Sequence, residues 1–86
     1  MTYRPLIKVH LWSGLRSLAD GREIVEVRAS TIAQMLDALV VAYPGLAEPI
    51  KAGVSVSVDG KIYSQGLTQK VAEESEIYLL QRIKGG

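Results

Sequence analysis

The sequence predicts an α+β fold: a mixed sheet of about five strands with one main helix on one face, in the order β-β-α-β-β-β. Three observations carry this. Apolar and polar residues alternate over residues 6–12 and 54–58, the period of a half-buried strand. Between these segments, Ile32, Met35, Leu36, Leu39, Val40 and Tyr43 recur at spacings of three and four, which puts them on one face of a helix. The helix stands apart from the strands in the chain, so the repeated βαβ units of a parallel α/β fold are missing.

The first strand is read over residues 6–12. Ile7, Val9 and Leu11 point one way; Lys8, His10 and Trp12 point the other. Residues 13–21 are read as a long loop, with Asp20-Gly21 as its turn signal. The second strand is Glu23-Ile24-Val25-Glu26-Val27-Arg28, antiparallel to the first. Thr31-Ile32-Ala33-Gln34 fits a capping box. The Thr31 hydroxyl is expected to accept from the Gln34 N–H, and the Gln34 side chain to reach back to the Thr31 N–H. The helix runs to Tyr43, about 18 Å at 1.5 Å per residue, and Pro44-Gly45 stops it.

A loop leads to Val54-Ser55-Val56-Ser57-Val58, followed by the hairpin signal Asp59-Gly60 and a short return strand, Lys61-Ile62-Tyr63. Glu73-Glu74-Ser75 reads as a polar turn. The last strand, residues 76–82, is apolar on both parities, so a central place is expected, parallel to the first strand.

The chain has 86 residues, room for a single domain over 1–86 with residues 82–86 as a flexible tail. An apolar fraction of 48% and a net charge of +1 are ordinary for a globular protein. There is no cysteine, which excludes disulfides, thiolate metal sites and a cysteine nucleophile. Together with a start that lacks a signal-peptide pattern, this leads to a cytoplasmic expectation. No stretch nears the roughly 20 apolar residues of a membrane span, and the basic residues are scattered. Neither a nucleic-acid nor a membrane partner is expected.

Most routes to catalysis are closed or weak. His10 is the lone histidine and has no second imidazole to share a metal with; it is read as a surface or edge residue. The carboxylates of Glu73, Glu74 and Glu76 are read as a solvated turn. No catalytic residue and no metal site is assigned, and no cofactor is expected on the chain.

What remains is the glycine pair Gly85-Gly86, which ends the sequence directly after an apolar strand. Two such glycines arise by chance in roughly one chain in 200. From Arg82 onward, five residues reach about 16 Å at ~3.3 Å each. A terminal carboxylate without a neighbouring Cβ suits entry into a narrow channel. If a partner activates that carboxylate as an acyl-adenylate, a sulfur nucleophile or a lysine amine can attack it.

These features together resemble the MoaD/ThiS family of sulfur carriers, which are ubiquitin-like β-grasp proteins. The resemblance rests on Trp12-Ser13-Gly14-Leu15-Arg16, on the helix start Thr31-Ile32, on Glu73-Glu74-Ser75-Glu76-Ile77 and on Gly85-Gly86. It implies a carrier, not an enzyme. A ubiquitin-activating-type enzyme would spend ATP to adenylate Gly86, and sulfur transfer would leave a thiocarboxylate. An acceptor of the molybdopterin synthase large-subunit type would take the sulfur. By position, the resemblance implies partner contacts at Trp12, Ile62 and Leu80, and polar ones at Arg16, Arg82 and Lys84. The run Gln81-Arg82-Ile83-Lys84 departs from the Pro-Pro-Val of the molybdopterin branch, whereas the length is closer to that branch than to thiamin carriers. The basic tail also looks like the end of ubiquitin. Carriage of sulfur to thiamin or another metabolite, and conjugation to lysines through Gly86, therefore stay open.

Overall fold

A computed structural model describes residues 4–63 and 68–81, with Gln81 described through its backbone only. Five strands form one sheet: β1 (Leu6–Leu11), β2 (Ile24–Arg28), β3 (Val54–Val58), β4 (Lys61–Tyr63) and β5 (Ile77–Gln81). Their order across the sheet is β2-β1-β5-β3-β4. β1 pairs antiparallel with β2 and parallel with β5, while β3 pairs antiparallel with both β4 and β5. The last strand is thus central and parallel to the first. It is flanked by a neighbour on each side, and this explains why its sequence is apolar.

One face of the sheet carries the core. Ile7, Val9 and Leu11 meet Val25 and Val27 from β2, Ile77 and Leu79 from β5, and Val54, Val56 and Val58 from β3. Helix α2 (Ile32–Ala42) covers them with Ile32, Met35 and Leu39, all at most 1% exposed. The other predicted helix-face residues, Leu36, Val40 and Tyr43, are half-buried at its margins.

The local signals act much as their chemistry dictates. Asp59 and Gly60 both take positive φ, 52° and 87°, as a two-residue I′-type hairpin turn requires. The Asp59 carboxylate also accepts from the Glu76 N–H at 2.8 Å, while the Asp59 N–H donates to the Glu76 carbonyl at 2.9 Å. This turn therefore clamps the start of β5. The Gln34 N–H donates to the Thr31 hydroxyl at 3.2 Å, as the capping box predicts. The Gln34 side chain, however, reaches one residue further back than expected. Its Oε1 accepts from the Ser30 N–H at 2.9 Å and the Ser30 hydroxyl at 2.7 Å. Thr31 is held instead by an antiparallel bridge to Lys70, with the Ile32 N–H on the Gln69 carbonyl.

Three expectations need correction. β1 ends at Leu11 and not at Trp12, because the Trp12 carbonyl accepts from the Leu15 N–H at 2.9 Å and starts helix α1 (Ser13–Arg16). The presumed loop 13–21 is therefore largely helical, with a 3-10 turn at Ser17–Ala19 before Asp20-Gly21. The stretch after Pro44-Gly45 likewise holds a 3-10 turn (Pro44–Leu46) and helix α3 (Ala47–Ala52). Both segments bury small apolar anchors, Leu15 and Ala19 in one and Leu46 in the other. Too short to show a periodic pattern, they form because those anchors close the ends of the core.

Candidate functional site

The sheet face opposite α2 has no covering layer among the described residues. Alternation puts Lys8 and His10 of β1, Ile24 and Glu26 of β2, Tyr78 and Leu80 of β5, Ser55 and Ser57 of β3, and Ile62 of β4 on this side. The register joins five of them in one row: Ile24 opposite His10, His10 beside Tyr78, Tyr78 opposite Ser57, and Ser57 opposite Ile62. The row crosses all five strands and carries no carboxylate or ammonium group. Ile62 is 62% exposed, and Ile24 and Tyr78 are also exposed. An uncharged strip that exposes Ile24, Tyr78 and Ile62 has the character of a contact surface.

At its centre His10 and Tyr78 stack, with ring centroids 4.5 Å apart and planes 24° from parallel. His10 is thus not an edge residue: β1 is an inner strand, and the imidazole is half-buried against the phenol. Hydrogen bonding to Glu76 and the negative charge of Glu76 hold the Tyr78 hydroxyl above the ordinary tyrosine range. The folded-state pKa is raised, so this contribution is present below the usual tyrosine value and is lost as pH rises through the folded one. Glu76→Gln is expected to lower the Tyr78 midpoint, which an ultraviolet titration of the phenolate reads directly. An unchanged midpoint would assign the shift to burial.

The implied contact residues separate into distinct settings. Ile62 stands fully on the open face. Leu80, half-buried, lies beside Ser55 on the same side. Trp12 is not the freely exposed side chain expected of it, because its indole is partly buried against the core at the end of β1. The Trp12 backbone N–H donates to the Leu79 carbonyl at 3.2 Å, and the indole ring folds over Gly14, where a Cβ would overlap Nε1. The Trp12-Ser13-Gly14 pattern is therefore a packing unit that needs glycine. Arg16 is tied to the fold as well. Its Nε donates to the Leu11 carbonyl at 3.2 Å, and Nη2 lies 3.9 Å from Glu23, joining α1 to the ends of β1 and β2. Arg82, Lys84, Gly85 and Gly86 lie outside the described residues.

Sequence reasoning overlooked Ile24, Tyr78 and Ser57. Parity held part of the signal, since Tyr78 lies two residues before Leu80 and Ser57 alternates with the valines of its strand, but their adjacency in one row depends on the strand order.

The other surface features are less specific. Two open hollows of about 540 and 560 Å³ lie on the surface, one beside α2 and lined by Glu26, Arg28, Asp37 and Val41, the other lined by Ser30, Lys70, Glu73 and Glu74. Among the described residues no three His, Asp or Glu side chains gather as a metal site. Glu73 and Glu74 sit in the predicted turn, closed by the Ser75 N–H on the Ala72 carbonyl at 3.0 Å. No helix among the described residues is long and apolar enough to cross a membrane.

The ThiS family model matches residues 9–86, a span that runs through both glycines. No curated protein sequence gives a match. Several solved structures share the fold. SAMP1 from Haloferax volcanii is 25% identical with a TM-score of 0.73, over 94% of this chain and 99% of that one. The small archaeal modifier protein 1 (SAMP1) from Methanosarcina acetivorans is 21% identical with a TM-score of 0.77, over 99% and 100%. A chain of the BexX/CysO complex from Amycolatopsis orientalis is 23% identical with a TM-score of 0.73, over 93% and 99%.

Proposed function

The chain belongs to the ThiS family of β-grasp, ubiquitin-like proteins, and on that footing we propose that it carries sulfur as a thiocarboxylate on Gly86. The observation that carries this reading is the family match itself, which extends through the glycine pair. An adenylating enzyme of the ubiquitin-activating type docks on the open face. The Gly86 carboxylate attacks the α-phosphate of ATP and expels pyrophosphate. A persulfide sulfur then displaces AMP, giving an acyl disulfide, and a second thiol reduces it to the thiocarboxylate while itself becoming part of a disulfide. The carrier contributes reach, a docking surface and an end free of Cβ; the partner contributes the chemistry. The tail then offers its sulfur to an acceptor enzyme. A molybdopterin synthase large subunit is the destination we assign first.

A second reading is conjugation to lysine amines. What favours it is the 25% identity to SAMP1 from Haloferax volcanii, a protein described as a small archaeal modifier. Both readings use the same activated end, so one experiment on the native host separates them. Intact-mass measurement of the purified chain is expected to show a species with one oxygen replaced by sulfur. Trypsin cuts after Lys84 and would leave a Gly-Gly remnant on any target lysine. Remnants without the sulfur species would replace carriage by modification.

A further inference from the structure

β2 is an outer strand of the sheet, with β1 on one side and, among the described residues, no strand on the other. The ladder to β1 shows which backbone groups of β2 turn outward. The Leu11 N–H donates to the Glu23 carbonyl at 2.9 Å, and the Ala29 N–H to the Pro5 carbonyl at 3.1 Å. Bonded and unbonded positions alternate in an antiparallel pair, so residues 23, 25, 27 and 29 face β1. The N–H and C=O groups of Ile24, Glu26 and Arg28 point away from it. An edge of this kind is a template for another strand. The opposite outer strand, β4, has three residues and offers a shorter edge.

The side chains of the β2 edge select the strand that fits it. Glu26 and Arg28 are both exposed, with Glu26 opposite Lys8 in the register and Arg28 opposite Leu6. Neither forms an ion pair with another described residue. Arg28 commits one N–H, from Nη1, to the Arg4 carbonyl at 3.2 Å. When two copies of β2 run antiparallel about a two-fold axis, their outward-turned residues meet. Centred on Val27, the register sets Glu26 opposite the partner's Arg28 and, by symmetry, Arg28 opposite the partner's Glu26. Centred on Glu26, it sets two carboxylates against each other. Centred on Val25, it sets Arg22 against the partner's Arg28. Opposite charges across a strand pair stabilise it and like charges destabilise it, so the edge is complementary to itself in one of these registers.

We propose that the chain pairs with a second copy of itself along β2, antiparallel and centred on Val27, so that two five-stranded sheets become one. Each Glu26–Arg28 pair exchanges both of its N–H···O bonds and adds a charge pair on the open face. On the other face, the hollow lined by Val27, Ala38 and Val41 flanks the same edge, and Val41 is 83% exposed. The two-fold brings both hollows to the seam, which takes apolar surface out of water there. A seam of this length is a small interface, with an expected Kd of about 100 μM. β1 stands between the seam and β5, the strand that precedes the glycine pair. A pair of copies therefore carries two such ends on one particle, whether they receive sulfur or join lysines.

Sedimentation equilibrium over a concentration series reads the association, and amide hydrogen exchange by NMR reads its place. At a total concentration about ten times Kd, the Glu26 and Arg28 amides should exchange about fivefold more slowly than in dilute solution. Glu26→Arg and Arg28→Glu each turn both attractive pairs into repulsive ones and should weaken self-association at least about tenfold. An equimolar mixture of the two variants restores opposite charges across the seam and should associate within about threefold of the unsubstituted chain. Amide spectra report the fold of each variant, and the exchange measurement on the unsubstituted chain needs no variant. A chain that stays monomeric through the series, or a mixture no tighter than its components, overturns the seam. Association that leaves the Glu26 and Arg28 amides exchanging as in dilute solution lies elsewhere on the molecule and overturns it as well.

Discussion

Removing Gly86 is expected to abolish activation of the chain, with adenylation falling by a factor of at least about 1,000 while docking on the open face survives. Losing one residue withdraws the terminal carboxylate by up to about 3.5 Å. A misplacement of 1 Å at a reacting centre already costs about 100-fold, because the attacking oxygen leaves its near-attack position. The described core ends with β5, before residue 82, so the thermal midpoint should be unaffected. Pyrophosphate exchange with the purified adenylating enzyme measures the effect, and calorimetric binding of the same truncated chain isolates it from docking. Undiminished exchange would mean that the shortened end is adenylated as well and that activation does not need Gly86.

The second large effect contrasts two neighbouring leucines. Leu79 is fully buried, in register with Leu11 of β1 and Val56 of β3. Leu79→Ala leaves a cavity between strands at the centre of the core, a loss of about 3 kcal/mol within the 2–5 kcal/mol typical of such truncations. A domain of this size has a total stability of only about 4–13 kcal/mol. The thermal midpoint should therefore drop by about 12–24 °C. Leu80, one residue later, points to the open face and is only half-buried. Leu80→Ala should move the midpoint by a few degrees at most and weaken partner binding instead. Thermal melts and binding measured on the pair give opposite orders of severity. Equal loss of stability in both would mean that the open face is packed like a core.

Much of the fold was legible because its signals are local. The alternation of Ile7, Val9 and Leu11 against Lys8 and His10, and of three valines against two serines, reports one covered face wherever it occurs. Asp59-Gly60 forms its turn because two successive positive φ angles suit few other pairs. The short helices α1 and α3 escaped because each spans fewer than two turns and buries little, Leu15 alone in α1 and no residue in α3. Trp12 was misjudged for a related reason. Strand parity placed it outward, but parity stops applying where the strand ends, and the indole turns over Gly14 onto the edge of the core.

The functional pieces divide along the same line. By itself the sequence determined the strand and helix order, the turn chemistry, and a glycine end whose meaning lies in the absence of side chains. Only the tertiary structure decided that Ile24, His10, Tyr78, Ser57 and Ile62 form one row and that His10 stacks on Tyr78. Alternation tells each strand which residues share a face, but neighbours across a sheet are set by strand order and register. The parallel pairing of β1 with β5 brings together residues from opposite ends of the chain.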